Sequence, residues 1–241
     1  MIGAESGIHH SYLELFPIPS VGRCRSDRIS RAVPRLSAET QFSEVAMLQH
    51  IPSPIGHALS GFRSGLDNVA CHSAGLAELP EMISFGSSAF PDGTAMPSRY
   101  TADGDGLSPP LEWRGVPNTA AALMILIEDA DAPTPRPLVH GIVAELPAID
   151  GQLAEGELSG AHSRSRGGRT SRLLGKNSFL RAQYLPPDPP PGHGAHRYVF
   201  QIYAVSRRPH FSHAPGRSQV VERVRLYGIA KGVFTGTYGR H

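Results

Sequence analysis

The residues best suited to chemistry fall in three short stretches. The first is Glu128-Asp129-Ala130-Asp131-Ala132-Pro133, directly after an apolar run. Carboxylates two apart at a strand end, Asp129 and Asp131, point the same way if the backbone stays extended. Thr134-Pro135-Arg136-Pro137 follows, and its prolines stiffen the loop. The second is His140, at the head of another apolar stretch. The third runs Tyr184-Leu185-Pro186-Pro187-Asp188-Pro189-Pro190-Pro191-Gly192-His193-Gly194-Ala195-His196-Arg197-Tyr198. Its prolines fix a loop path and lower the entropy lost on ordering it. Gly192 and Gly194 permit tight turns and close approach of a ligand. His196 and Tyr198 share one face of a strand that begins there, and Arg197 faces the other way. An imidazole and a phenol side by side suit phosphate or carboxylate oxygens. Asp129 closes one strand as His196 opens another, so it is the expected acid beside the histidines, favouring protonated imidazole. The expected site is a set of cationic donors backed by a buried acid. It would bind an anion, and bind it better below neutral pH than above.

Three other readings compete. His–Asp pairs suit general-base work, and Ser108 or Tyr198 could serve a hydrolase, but no Gly-x-Ser-x-Gly elbow is present. His193 and His196 with Asp129, Asp131 and His140 supply enough nitrogen and oxygen for zinc. Strand geometry, however, sets residues three apart on opposite faces, which disfavours the two histidines meeting one ion. In the plainest reading the pocket is unused and the chain is a partner-binding protein. Neither a cofactor nor a metal is expected.

These residues need a scaffold. The chain has 241 residues, 40% hydrophobic and 18% charged, enough for one substantial core plus an extension. A formal charge of +2 excludes a strong whole-molecule pull toward nucleic acid or membrane. Cys24 and Cys71 form no CxxC pair and no disulfide framework. The longest apolar run, Ala120 to Ile127, is too short to span a bilayer as a helix. The first residues mix charge and proline, so no signal peptide and a cytoplasmic location are expected.

Residues 1–46 scatter proline, serine and arginine without period and read as a poorly ordered extension, with Met47 a candidate start. Residues 47–80 read as a short helical lead-in, with amphipathic turns broken by Pro52 and Pro54. The domain proper spans 81–241. Strands are expected at Met82 to Phe85, Ala121 to Glu128, Val139 to Leu146 and Tyr198 to Val205. The stretch Gly160 to Arg172 carries four arginines and no acid and reads as a surface loop. Val220, Val224 and Tyr227 recur at helical spacing, predicting a helix over Ser218 to Ala230. Dense Pro/Gly turns between strands point to a mainly β architecture of the sandwich kind.

Four signatures in order along the chain together resemble the phosphatidylethanolamine-binding protein family, in its bacterial, Raf-kinase-inhibitor-like branch. Asp129-Ala130-Asp131-Ala132-Pro133 is similar to its Asp-Pro-Asp-x-Pro signature, and Gly194-Ala195-His196-Arg197-Tyr198 to its Gly-x-His-Arg-Tyr signature. Asp103-Gly104 with Ser108-Pro109-Pro110-Leu111-Glu112-Trp113 resembles a third, and Gly236-Thr237-Tyr238-Gly239-Arg240 the closing motif. The resemblance implies a central antiparallel sheet flanked by a smaller one, with short peripheral helices, a C-terminal helix and a small pocket at one end. It implies pocket roles for Asp129, Asp131, Pro133, His140, Tyr184, Pro189, Pro190, His196 and Tyr198. The implied ligand is a phospholipid head group, such as phosphatidylethanolamine's, or another phosphorylated small molecule, bound without turnover. A regulatory or inhibitor role belongs to the same reading; no protein partner is identified. Gly141 departs from the bulky aromatic usual after the first histidine, Pro186-Pro187 stands where Gly-Pro is usual, and Ala130 where Pro is common.

Overall fold

The computed structural model describes residues 52–159 and 173–240. The expectations for residues 1–46, Met47, Cys24 and the arginine-rich stretch 160–172 lie outside them. Among the described residues the strands are β1 (Ser84–Gly86), β2 (Leu111–Arg114), β3 (Ala122–Asp129), β4 (Leu138–Leu146), β5 (Gly151–Leu153), β6 (Leu173–Leu174), β7 (His196–Val205) and β8 (Gly228–Tyr238). The helices are α1 (Ser53–Leu59) and α2 (Arg217–Tyr227), with single 3-10 turns at Leu66–Asn68, Ala70–His72 and Ser98–Tyr100. The strands form a three-stranded sheet, β1-β2-β5, and a five-stranded sheet, β6-β4-β3-β7-β8, antiparallel throughout.

Period-2 alternation explains why the larger sheet is buried on both faces. On β3, Leu123, Ile125 and Ile127 enter one core; Ala122, Met124 and Leu126 enter the other. On β7, Tyr198, Phe200, Ile202 and Ala204 join the first, while Val199, Tyr203 and Val205 join the second. The small sheet covers the first face through Phe85, Leu111, Trp113 and Leu153. The second face is closed by Val220, Val221 and Val224 of α2, and by Val69, Ala70, Cys71 and Leu76 of the lead-in. Burial pushes the Cys71 thiol up to about 11, so it behaves as a small apolar side chain.

Polar groups inside the second core are matched. Glu128 is fully buried and accepts from Ala70 N, Gln201 Nε2 and Arg217 Nε. Gln201 Oε1 takes Cys71 N and the Tyr203 hydroxyl. Lys231 Nζ donates to the carbonyls of Leu76 and Ala77 at 3.2 and 2.8 Å, tying β8 to the lead-in. These bonds remove the penalty that unpaired buried groups would carry.

Several expectations are corrected. Pro54 begins α1 rather than breaking it, because a proline in the first turn loses no intrahelical bond. The C-terminal helix ends at Tyr227, and Ala230 belongs to β8, which pairs with β7 along its whole length. Glycine hides this strand: a Cβ on Gly232 would stand 2.2 Å from Ile83 O, and one on Gly236 2.6 Å from the Met96 side chain. The segments crossing there leave space only for glycine, at the cost of strand propensity. The first strand lies at Ser84–Gly86, with Met82 outside it and exposed.

Among the described residues no helix is long and apolar enough to cross a membrane. Phe200, fully buried and stacked on Phe234 at 4.6 Å between ring centroids, is a keystone of the first core. Phe200→Ala is expected to lower unfolding free energy by about 3–5 kcal/mol, read by urea denaturation.

Candidate functional site

Strands β4, β3 and β7 lie side by side, and their adjoining ends bring His140, Asp129, His196 and Tyr198 together. Asp129 pairs with Tyr198 in the β3–β7 register. On the other side, Ile127 pairs with Gly141 but Glu128 with Val139, so His140 is the extra residue of a bulge. A bulge re-aims a side chain that strict pleating would send elsewhere. The His140 ring meets Tyr198 edge-on, 5.1 Å between centroids. Gly141 beside it faces Ile127, which lies 3.2 Å from where a Cβ would stand, and Tyr184. An aromatic there would have to displace core side chains.

Asp129 Oδ2 accepts from His196 Nδ1 at 2.8 Å, and Oδ1 accepts from Asp131 N at 2.8 Å. His196 Nε2 lies 2.7 Å from His193 Nδ1. His193 Nε2 in turn faces only carbonyls, Leu59 O at 2.9 Å and Phe62 O at 3.3 Å, and must carry hydrogen. The chain from Asp129 through His196 to His193 therefore closes only when it holds three protons. Burial, followed by the neighbouring His196, holds the His193 pKa below the ordinary 6.5, matching a neutral outer ring. Both nitrogens of His196 are engaged, one on each side.

The expectation that His193 and His196 face apart is overturned. His193 precedes the strand, and Gly194 at φ +93° turns the chain back so that the two rings meet. The nitrogens that would bind zinc bond each other, and among the described residues no cluster of three or more metal-ligand side chains is assembled.

Asp129 and Asp131 do not point the same way, because the chain leaves the strand at Ala130. The Asp131 carboxylate takes Arg197 Nε and Nη2 at 2.7 and 2.6 Å and Arg197 N at 2.8 Å, and pairs with Arg63 Nη1 at 3.0 Å. Burial pushes its pKa up, but these donors outweigh burial and hold it at about 2. Arg63 also donates to His193 O and Ala195 O, at 2.9 and 3.0 Å. This clamp fixes the turn that carries the histidines.

His140 Nδ1 lies 2.7 Å from Leu185 O, so Nδ1 carries hydrogen and Nε2 of the neutral ring is an acceptor. Burial pushes the His140 pKa down, outweighing the nearby Asp129 charge. Burial also pushes the Tyr198 phenol well above 10, keeping it neutral. His140 Nε2 and the Tyr198 hydroxyl are buried and have no partner in the structure.

The remaining predicted residues form the surround. Tyr184 is buried with its hydroxyl on Tyr100 O at 3.2 Å. Pro189 and Pro190 are buried, and Arg240 holds the Pro189 carbonyl at 2.7 Å while pairing with Asp188 and Asp103. Pro133 is half-buried in the turn after Asp131. Ser108 is fully buried with its Oγ accepting from Leu158 N, a structural placement.

The chain matches the family model for the phosphatidylethanolamine-binding protein over residues 86–239. It belongs to the phosphatidylethanolamine-binding protein family. A UPF0098 protein of Methanothermobacter thermautotrophicus is 32% identical over 152 residues, covering 63% of this chain and 95% of its own. A UPF0098 protein of Chlamydia trachomatis is 31% identical over 156 residues, with the same shares. Among solved structures, the phosphatidylethanolamine-binding protein homologue CT736 of Chlamydia trachomatis aligns with a TM-score of 0.58 at 29% identity, covering 67% of this chain and 99% of that one. E. coli YbcL, described as a member of the mammalian family, shares the fold, with a TM-score of 0.60, 22% identity, and 66% and 99% covered.

Leu59, Phe62 and Arg63 lie ahead of the family match, yet they receive or clamp its histidine turn. Sequence reasoning missed Arg63: an isolated arginine after a short helix carries no signal. Arg240 sits in the closing motif, but its grip on the proline loop has no pattern in sequence. Asp131 should show in acid: its stabilising contribution is full above 3.8 and lost as pH falls through about 2. Urea unfolding between pH 5 and 3 is expected to fall less steeply in Asp131→Asn than in wild type, while the variant is less stable by roughly 3 kcal/mol at neutral pH, since two arginines lose their charge partner.

Proposed function

We propose that this protein binds a small phosphate-bearing or other anionic ligand, a phospholipid head group included, in the pocket bounded by His140, Tyr198, Asp129, His196, Pro189 and Pro190, and does not turn it over. One observation carries the reading: His140 Nε2 and the Tyr198 hydroxyl are buried side by side without partners. Such groups cost stability unless something meets them. A neutral His140 accepts and Tyr198 donates, so the fitting ligand has both an acceptor oxygen and a proton, as a phosphate monoanion does. Asp129, His196 and His193 act behind them, and Asp131 and Tyr184 brace the walls.

A regulatory or inhibitory role would be exercised through this pocket, and a cytoplasmic setting is consistent with the cysteine usage. The hydrolase reading has no support from Ser108, which is locked in backbone hydrogen bonds.

A fully ionised ligand needs a proton on His140. Its pKa lies below 6.5, so binding of inorganic phosphate or O-phosphorylethanolamine should strengthen as pH falls from 8 toward 5.5. Calorimetric titration across that range checks it; affinity that rises with pH would oppose it. Tyr198→Phe separates function from folding. It should weaken phosphate binding by roughly tenfold, the value of one lost hydrogen bond, yet leave the free protein as stable or about 1 kcal/mol more so. Unchanged binding in this variant would sink the reading.

A further inference from the structure

We infer that the loop from Gly175 to Leu185 is an interfacial anchor that seats the protein on an anionic lipid surface. The loop leaves β4 where Gly175 N donates to Ile142 O at 3.0 Å, and returns where Leu185 N donates to His140 O at 2.7 Å. It is therefore an excursion from, and back to, the pocket end of β4. At its tip Phe179 and Leu180 are 57% and 77% exposed.

This tip is built. Asn177 Oδ1 accepts from Phe179 N and Arg181 N at 3.0 and 3.1 Å, and Asn177 Nδ2 donates to Gln183 O at 3.1 Å. Ser178 is tied both ways to Val139, the neighbour of His140, at 3.0 and 2.8 Å. Leu180 has φ +61°, and is the one non-glycine residue with positive φ among the described residues. A branched side chain adopts that conformation only when its surroundings impose it. The bonds around Asn177 impose it, with the result that two large apolar side chains face water.

Charge decides the occupant. Lys176, Arg181 and, on the adjoining loop, Arg136 are exposed. No acid occurs from Leu173 to Pro187 or from Ala132 to Val139. An apolar tip flanked along the chain by cations matches a bilayer with anionic lipid, where the ring and the branched side chain sink below the head groups and the cations stay at them. A seated loop would hold the His140 end of β4 toward the head groups. The inference deepens the anion reading and rests on it only for what the pocket then takes up.

The test uses the full chain, vesicles of phosphatidylethanolamine and phosphatidylglycerol at 3:1, and phosphatidylcholine vesicles as the uncharged comparison. Wild type should co-sediment with the first and much less with the second. Phe179→Ser/Leu180→Ser, at two exposed positions outside both core clusters, should bind the anionic vesicles at least about tenfold more weakly while its inorganic phosphate affinity stays unchanged. The single tryptophan, Trp113, is buried, so Phe179→Trp adds a reporter whose emission should shift to the blue on anionic vesicles. Absent vesicle binding overturns the inference. Equal binding by the double variant overturns it too, and leaves the tip to a protein partner. Tip-dependent vesicle binding without phosphate binding upholds the anchor while removing the pocket reading; phosphate binding without vesicle binding does the reverse.

Discussion

The Asp129 carboxylate organises this end of the molecule. It is buried at the close of the central strand, where a lone charge would be prohibitive. It survives there because His196 and the Asp131 amide both donate to it. From that requirement the rest follows: His196 must turn inward, its far nitrogen needs a partner, His193 supplies one, and the lead-in carbonyls complete the chain. Asp131, displaced by the turn, is neutralised by Arg197 and Arg63, and the same arginine grips the turn bearing His193 and Ala195. Each group is satisfied by the next until His140 and Tyr198 are reached, where the sequence of partners stops.

The two-sided core makes such a site affordable. Sheet strands buried on both faces are held by apolar contact along their length, so a costly polar cluster at one end can be tolerated. The lead-in contributes twice. Val69, Ala70, Cys71 and Leu76 close the second core, while Leu59, Phe62 and Arg63 secure the histidine turn. A segment ahead of the family match is thereby part of the site's mechanical support. Gly56 shows how close the approach is, since a Cβ there would stand 1.9 Å from Pro191 O.

Ala122 to Ile127 was legible in sequence as an unbroken apolar run, and Val199 to Val205 as a run dominated by Val, Ile and aromatics with no breaker. Asp129, His196 and Tyr198 could be grouped from their places at strand ends, whereas His140 joined them only through the family resemblance. What stayed hidden depends on tertiary contact. The glycines of β8 answer to Ile83 and Met96 crossing over them. The bulge at His140 and the turn at Gly194 reverse the facing that ideal strands predict, which is why His193 looked remote from His196. The state of His140 is hidden for a related reason: Asp129 lies near it, but burial outweighs that charge.

The proposed pocket depends on which histidine nitrogen is free to meet a ligand. Long-range proton–nitrogen NMR of the histidine rings, recorded with and without inorganic phosphate, tests this most directly. In the free protein His140 should be a neutral ring protonated at Nδ1, and phosphate should move the His140 Nε2 resonance most while both His196 nitrogens remain bonded. A free His196 Nε2 that takes the ligand while His140 stays silent would contradict it.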